Sequence, residues 1–300
     1  MIGARERSVA AAIVVLGAIL AVFARGFFSA ANLTDLFLAN VPVLVAAMGA
    51  TLVIVGGEID VSVGSVFAAC SLAAGLLAKA GLPVAPLTMA VVVVGAALGA
   101  VNGALVAFGR VPSIVVTLAT MIGLREALRW GTEGAWVQGL PASFQWLGQS
   151  QAAYPATIAV AAALLVAMLA WSARDLAAGR AVFATGSNET AARLAGLDVA
   201  AVKFCVFMLA GALTAGAAVV NAARFTQVPA NSGVGLEMKV IAAAVVGGAA
   251  IGGGRATIAG TVLGVVFLGA IGPALTFLGV NAYWERALQG AIILAAVVLR

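Results

Sequence analysis

The sequence has no histidine, two cysteines and two tyrosines among 300 residues, and charged side chains make up only 9% of it. An ordinary soluble domain carries about 25% charged residues, so this chain lacks the charge to cover a water-facing surface. The missing histidine and the isolated thiols Cys70 and Cys205 leave no material for a catalytic triad, a zinc site or a disulfide framework. Both cysteines lie in apolar stretches and read as small core residues. The net charge is +5, yet the 16 Lys and Arg are dispersed. That spread gives no electrostatic footprint for nucleic acid. No Gly-x-x-x-x-Gly-Lys-Ser/Thr occurs, and Lys79, Lys203 and Lys239 follow no glycine-rich turn, so a P-loop for ATP is excluded.

What is present is apolar. Hydrophobic residues make up 64%, the mean hydropathy is +1.16, and there are 36 glycines. Charge-poor runs near 8–24, 36–56, 61–78, 84–108, 112–124, 154–171, 201–221, 238–254, 256–279 and 283–299 approach the roughly 20 residues a spanning helix needs. Backbone groups in lipid must be satisfied within the segment, and the short alternating runs of a barrel are absent. The expected fold is therefore all-α: one polytopic transmembrane helical bundle over 1–300, with about ten spans. The first run follows Arg5 and Arg7, and Ala21-Val22-Phe23-Ala24 resembles a signal-peptide cleavage site. With so many spans behind it, an uncleaved first helix is expected.

Lys and Arg in the loops set the orientation. With ten spans and the N-terminus inside, the inner face holds Arg5, Arg7, Arg110, Arg174, Arg180, Arg193, Lys203, Arg255 and Arg300. The outer face holds Arg25, Lys79, Arg125, Arg129, Arg224, Lys239 and Arg286. Segment 172–200 is thereby expected in the cytoplasm, as are both termini.

An acid at the bilayer centre costs about 2.5–3.5 kcal/mol on insertion scales, so Gly56-Gly57-Glu58-Ile59-Asp60-Val61-Ser62-Val63-Gly64 stands out. Two readings fit. One is a helix break lining a pathway or gate; the other is a tight interhelical turn in which Asp60 or Ser62 caps the next helix. Five glycines between Gly247 and Gly254, before Arg255 and Gly260-Thr261, likewise exclude a straight helix. Either the chain reverses there or two helices approach closely. The second stretch echoes the first, which raises an internal repeat. Gly95, Gly99 and Gly103 let helix backbones touch, within the chain or between subunits. Beside them Asn102 bonds across helices or faces a path. In 172–200, Ser187 or Asn188 is a good N-cap, Ala191 to Leu194 a short helix and Gly196 its stop. Such a helix either docks on a partner or merely connects.

Four segments in order along nearly the whole chain resemble the permease subunits of ribose-type, ATP-binding-cassette sugar importers. Gly57-Glu58-Ile59-Asp60-Val61-Ser62-Val63-Gly64-Ser65 is similar to that family's Gly-Ile-Asp-Leu-Ser-Val-Gly-Ser signature. Val111-Pro112-Ser113 through Met121, Gly186-Ser187-Asn188 through Gly196, and Asn231 through Gly235 with Ile241-Ala242-Ala243 and Gly253-Gly254-Arg255 resemble its further stretches. The chain departs from the pattern at Ala249, Ala250 and Gly252, and at Arg125-Glu126 where the family usually has Arg-Gly.

The resemblance implies a non-enzymatic permease of the bacterial inner membrane that moves a monosaccharide such as ribose, xylose or rhamnose by alternating access. It implies three protein partners: a cytoplasmic ATPase subunit that binds ATP and magnesium, a second permease subunit, and a periplasmic sugar-binding protein. Membrane lipid surrounds the assembly, and the chain itself binds no cofactor, metal or nucleic acid. Gly186, Ser187, Asn188, Ala191, Ala192, Arg193 and Gly196 would form the short cytoplasmic coupling helix and its flanks. Gly56, Gly57, Glu58, Asp60, Ser62, Gly64, Gly253, Gly254 and Arg255 would form the bending gate. Asn102, Thr117, Thr120 and Asn221 are the polar pathway candidates. The alternative is an ion-coupled secondary transporter that uses Glu58 or Asp60 as coupling sites and needs no partner.

Overall fold

A computed structural model describes residues 4–281 and 283–298. Arg300, counted above on the inner face, lies outside the described residues. The helices, in order, are α1 (Ala4–Phe23), α2 (Ala30–Val55), α3 (Val63–Lys79), α4 (Val84–Ala107), α5 (Ser113–Thr132), α6 (Tyr154–Asp175), α7 (Ala177–Ser187), α8 (Glu189–Leu194), α9 (Val199–Ala222), α10 (Leu236–Val246), α11 (Ile258–Phe277) and α12 (Trp284–Val298). The all-α expectation needs one addition. Strands β1 (Val137–Gln138) and β2 (Gln227–Val228) pair antiparallel.

Each of the ten apolar runs falls on a helix, but the helices do not support about ten spans. Among the described residues, six are long and apolar enough to cross a membrane: α1, α2, α4, α6, α9 and α11. The others fall short for local reasons. Helix α3 has 17 residues. Helix α5 carries Arg125, Glu126 and Arg129, and α10 stops after 11 residues at Gly247. Helix α12 has 15 described residues and opens with Glu285 and Arg286.

The spanning helices are apolar on nearly every side, as expected where the surroundings are lipid. Small residues set their contacts. Gly95 and Gly99 on α4 lie against the backbone of Phe207 and Gly211 on α9, with no room for a Cβ. Gly103 meets Phe204 and Phe207 on the same helix. The glycine stripe is thus used within the chain. The core around this crossing includes Met48, Val53, Cys70, Val91 and Phe207, all almost inaccessible. Cys205 departs from the expectation of a core residue: it is exposed.

The bundle has two distinguishable ends. At one, the hairpin end, β1 and β2 cover Gly75 of α3 through Val137 and Val228. At the other, the elbow end, the C-terminus of α2 meets α7 and the α10–α11 loop. Glu6 at the start of α1 bonds Thr257 in that loop, so α1 also begins at the elbow end.

Helix α10 starts inside the bundle. Its Glu237 and the preceding Gly233 lie against Gly64, and Arg125 reaches the same point. Arg125 is 12 residues beyond Ser113, the elbow-end start of α5, or about 18 Å at 1.5 Å per residue. Helix α10 therefore occupies only part of the bundle's height, and the run 238–254 is a half-length helix followed by a loop.

Candidate functional site

The two glycine-rich breaks share one construction. Helix α2 ends with Gly57 N–H donating to Ile54 O at 3.0 Å and Glu58 N–H to Val53 O at 3.1 Å. Helix α10 ends with Gly248 N–H donating to Val245 O at 3.0 Å and Ala249 N–H to Ala244 O at 2.9 Å. Gly57 and Gly248 both have positive φ, +86° and +106°, which only glycine adopts at little cost. Both breaks thus close with the same glycine helix stop, a construction that also ends α3 at Gly81 and α8 at Gly196. At the second break both expected outcomes occur: the chain reverses, and Gly247 touches the backbone of Gly260 and Thr261.

These breaks meet the 172–200 segment at one point. Gly254 N–H donates to Val55 O at 2.8 Å. Gly186, near the end of α7, lies on the Val55 carbonyl and beside Gly254, and a methyl group there would collide with both. Gly253 sits against Gly57 and Gly186, and Gly254 against Ser187. Gly56 is close to Val182 of α7. Arg255 is exposed, and its carbonyl accepts from Ala250 N–H at 2.8 Å.

Segment 172–200 is more ordered than a connector. Helix α6 runs on to Asp175, and α7, which sequence patterning missed, packs back on it with Gly179 against Ser172 and Ala173. Asn188, not Ser187, is the N-cap of α8; its Oδ1 accepts from Ala191 N–H at 2.9 Å. Gly196, at φ +84°, ends the turn as expected. Ala192 is buried, whereas Ala191, Arg193 and Leu194 face outward, Leu194 at 86% exposure.

A charged bridge joins α8 to the first break. Lys203 Nζ, on the first turns of α9, lies 2.7 Å from Glu58 Oε1 and 2.9 Å from Glu189 Oε2. Arg193 holds the other oxygen of Glu189 at 2.7 Å. Lys203, then Arg193, hold the Glu189 carboxyl below the usual carboxylate range.

Past the break, the chain enters a buried polar cluster. Asp60 Oδ1 accepts from the Ser62 N–H at 2.8 Å and from its hydroxyl at 2.6 Å. Ser62 is the N-cap of α3 but makes no side-chain cap bond, so the expected cap becomes a local turn instead. Asn102 Nδ2 donates to Ser62 Oγ at 2.9 Å, and Thr120 Oγ1 donates to Asn102 Oδ1 at 2.6 Å. Thr117 Oγ1 accepts from Val61 N–H and Ser113 Oγ from Ile59 N–H, each at 3.2 Å. Asp60, Ser62, Asn102 and Thr117 are all buried. Three of the four pathway candidates thus tie α4 and α5 to the α2–α3 break, and Asn102 bonds across helices. Asn221 is not among them; it lines a separate cavity near the hairpin end. Gly64 is a contact point for Gly233 and Glu237 at the start of α10.

Sequence reasoning missed Lys203, Ser113 and the Arg125–Glu237 pair, whose closest atoms are 3.2 Å apart. A lone lysine five residues into an apolar run was the signal for the first. The pair joins residues 112 positions apart, which no local pattern reveals.

Comparison with known proteins finds import permeases among the chain's relatives. A family model described as "Branched-chain amino acid transport system / permease component" matches residues 32–297. The Autoinducer 2 import system permease protein LsrC of Escherichia coli K12 is 38% identical over 200 residues, covering 67% of this chain and 58% of that protein. The Shigella flexneri protein of that name gives the same identity and coverage. The Salmonella paratyphi B protein is 36% identical over 205 residues, with 67% and 58% covered. The chain thus spans somewhat over half the length of the curated relatives it matches. No solved structure matches it.

Proposed function

The chain belongs to the branched-chain amino acid transport permease family, and we propose that it is the multi-pass, inner-membrane permease of an ATP-driven importer that moves a monosaccharide by alternating access. The relatives are named for autoinducer 2 import rather than for an amino acid, and the resemblance of segment 57–65 to the sugar-importer signature favours a monosaccharide. ATP and magnesium belong to a separate ATPase subunit that docks on the elbow end, through α8 and its flanks. A second permease subunit completes the pore, and a periplasmic sugar-binding protein delivers solute at the hairpin end. Both termini lie in the cytoplasm. The chain binds no cofactor of its own and does no bond chemistry.

The observation that carries this reading is the meeting of α7–α8 with both helix breaks at Gly57, Gly186 and Gly254. An ATPase changes the permease only if it binds two of its states with different free energies. The elbow, seated on two helix ends and tied to Glu58 through Lys203, is the element we propose to carry that difference. Gly-rich helix ends are where the moving helices bend. The ion-coupled alternative needs Glu58 or Asp60 free to take up an ion. Glu58 is instead paired with Lys203, and Asp60 accepts two hydrogen bonds from Ser62.

The test is uptake of labelled ribose, xylose, rhamnose and leucine into vesicles holding the permease with its ATPase and binding protein. Sugar uptake that requires ATP inside and stops without the ATPase is expected. Uptake by the permease alone on an ion gradient would count for the alternative.

A further inference from the structure

Near the hairpin end, a cavity of about 350 Å³ opens between α3, the C-terminus of α9 and the segment carrying β2. Ten residues line it, among them Phe67, Ser71, Asn221, Phe225, Gln227 and Ser232. We propose that this cavity is a binding site for a neutral, polyhydroxylated solute of monosaccharide size, and that the permease itself selects cargo here. The proposal rests on the importer reading and adds a location and a chemistry to it.

The polar groups around the cavity are unspent. Ser71 is 1% exposed, and its hydroxyl has no hydrogen-bond partner among the described residues. On the two helices that line the cavity, the other buried hydroxyls Ser65 and Thr214 do have one, each donating to a carbonyl of the preceding turn. Elsewhere, among the described buried hydroxyls, only Thr185 shares the condition of Ser71. A buried polar group without a partner costs free energy and calls for a reason. The side chains of Asn221, Gln227 and Ser232 also make no hydrogen bond to another described residue. Two hydroxyls and two amides supply donors and acceptors in roughly equal measure, which is what a sugar presents.

The remaining walls fit the same class of ligand. Phe67 is buried, and Phe225 is half exposed at the mouth. Arg224 stacks on one face of the Phe225 ring, 5.6 Å from its centroid; the other face and the Phe67 ring are apolar surfaces for the C–H side of a pyranose or furanose. No charged residue lines the cavity, and Arg224 lies outside it, so the ammonium of an amino acid zwitterion would find no carboxylate in the lining, at high cost. The volume lies at the small end of the usual range for ligand sites, about 300–1,000 Å³. At its inner edge Gly233 lies against Gly64, close to the Arg125–Glu237 pair and the start of α3. Solute held here therefore sits next to the first break's helix.

The experiment uses the full chain in lipid nanodiscs, without ATPase or binding protein, and saturation-transfer NMR with ribose, xylose, rhamnose and leucine. Transfer to at least one sugar and none to leucine is expected. Asn221→Leu should weaken sugar binding about tenfold, the scale of one strong lost hydrogen bond, and Phe225→Ala by a similar factor through lost stacking area, while Asn221→Gln retains most of it. Thermal melting confirms that each variant is folded, and half-exposed Phe225 is the fallback should Asn221→Leu fail. No transfer to any sugar, equal transfer in the folded variants, or leucine binding that sugars do not displace would overturn the proposal. The vesicle uptake assay separates the two claims. Sugar import without an effect of the cavity variants removes the site alone; absence of import removes the importer reading with it.

Discussion

Lys203 and Glu58 form an ion pair at 2.7 Å between the first turns of α9 and the end of α2, each side chain only 15% exposed. Because Lys203 also holds Glu189 at 2.9 Å, a displacement of α8 is felt at the first helix break. Removing one partner of a pair this enclosed leaves the other charge poorly solvated.

Lys203→Met is accordingly expected to lower melting stability by about 1–3 kcal/mol, below the fully buried case because solvent still reaches the pair. Sugar uptake should fall about tenfold while the ATPase remains bound. Uptake and pull-down on the same preparation check this; equal loss of both would mean that Lys203 serves assembly only.

Gly186→Ala places a methyl group against the Val55 carbonyl and Gly254, two backbone segments with no side chain to move aside. Overpacking of this kind costs about 1–3 kcal/mol. The variant should fold, with α7 displaced, and bind the ATPase more weakly. Gly216→Ala, on α9 where nothing lies within 4 Å, is the control and should behave as wild type.

The Asn102–Thr120 bond of 2.6 Å is expected to show coupling. Thr120→Val strands the Asn102 carbonyl oxygen, a loss of about 1–3 kcal/mol. Asn102→Leu removes that bond and the one to Ser62 together. A double-mutant cycle read by thermal melting should give an interaction energy above about 0.5 kcal/mol. Strict additivity would show that the two side chains act independently.

The Glu189 carboxyl titrates below a free glutamate, held down first by its hydrogen bond from Lys203 and then by Arg193. The sign follows from the depression: the charged link is complete above the unfolded value of about 4.3 and is lost as pH falls through the lower folded value. A carbon-13 titration of the carboxyl should place its midpoint below 4.3 by this reference, moving upward in Lys203→Met. An unmoved midpoint would separate Glu189 from Lys203.

Much of the fold was legible because lipid imposes one rule, internal satisfaction of the backbone, and long apolar runs answer it. All ten runs fell on helices. The count of about ten spans is not supported by helix length and composition, because apolar composition does not report where a helix stops: α10 ends at a glycine pair and begins at the depth of Gly64. Helix α7 was overlooked because it is short and rich in small residues, Gly179 and Gly186 included, whose placement answers to contacts with α6 and α2. The glycine breaks and the α8 cap were readable from local chemistry. Their meeting was not, since Gly57, Gly186 and Gly254 are brought together only by tertiary packing. Asn102, Thr117 and Thr120 were recognised as polar residues out of place, while their shared partner segment, 59–62, came from the structure.

The central claim is that α8 faces the cytoplasm and receives the ATPase. Leu194, exposed at 86%, is the probe. Leu194→Cys in a Cys205→Ala background is treated with a membrane-impermeant maleimide on right-side-out and inverted vesicles. The account predicts labelling in inverted vesicles alone and protection when the ATPase is bound. Labelling from the periplasmic side would contradict it.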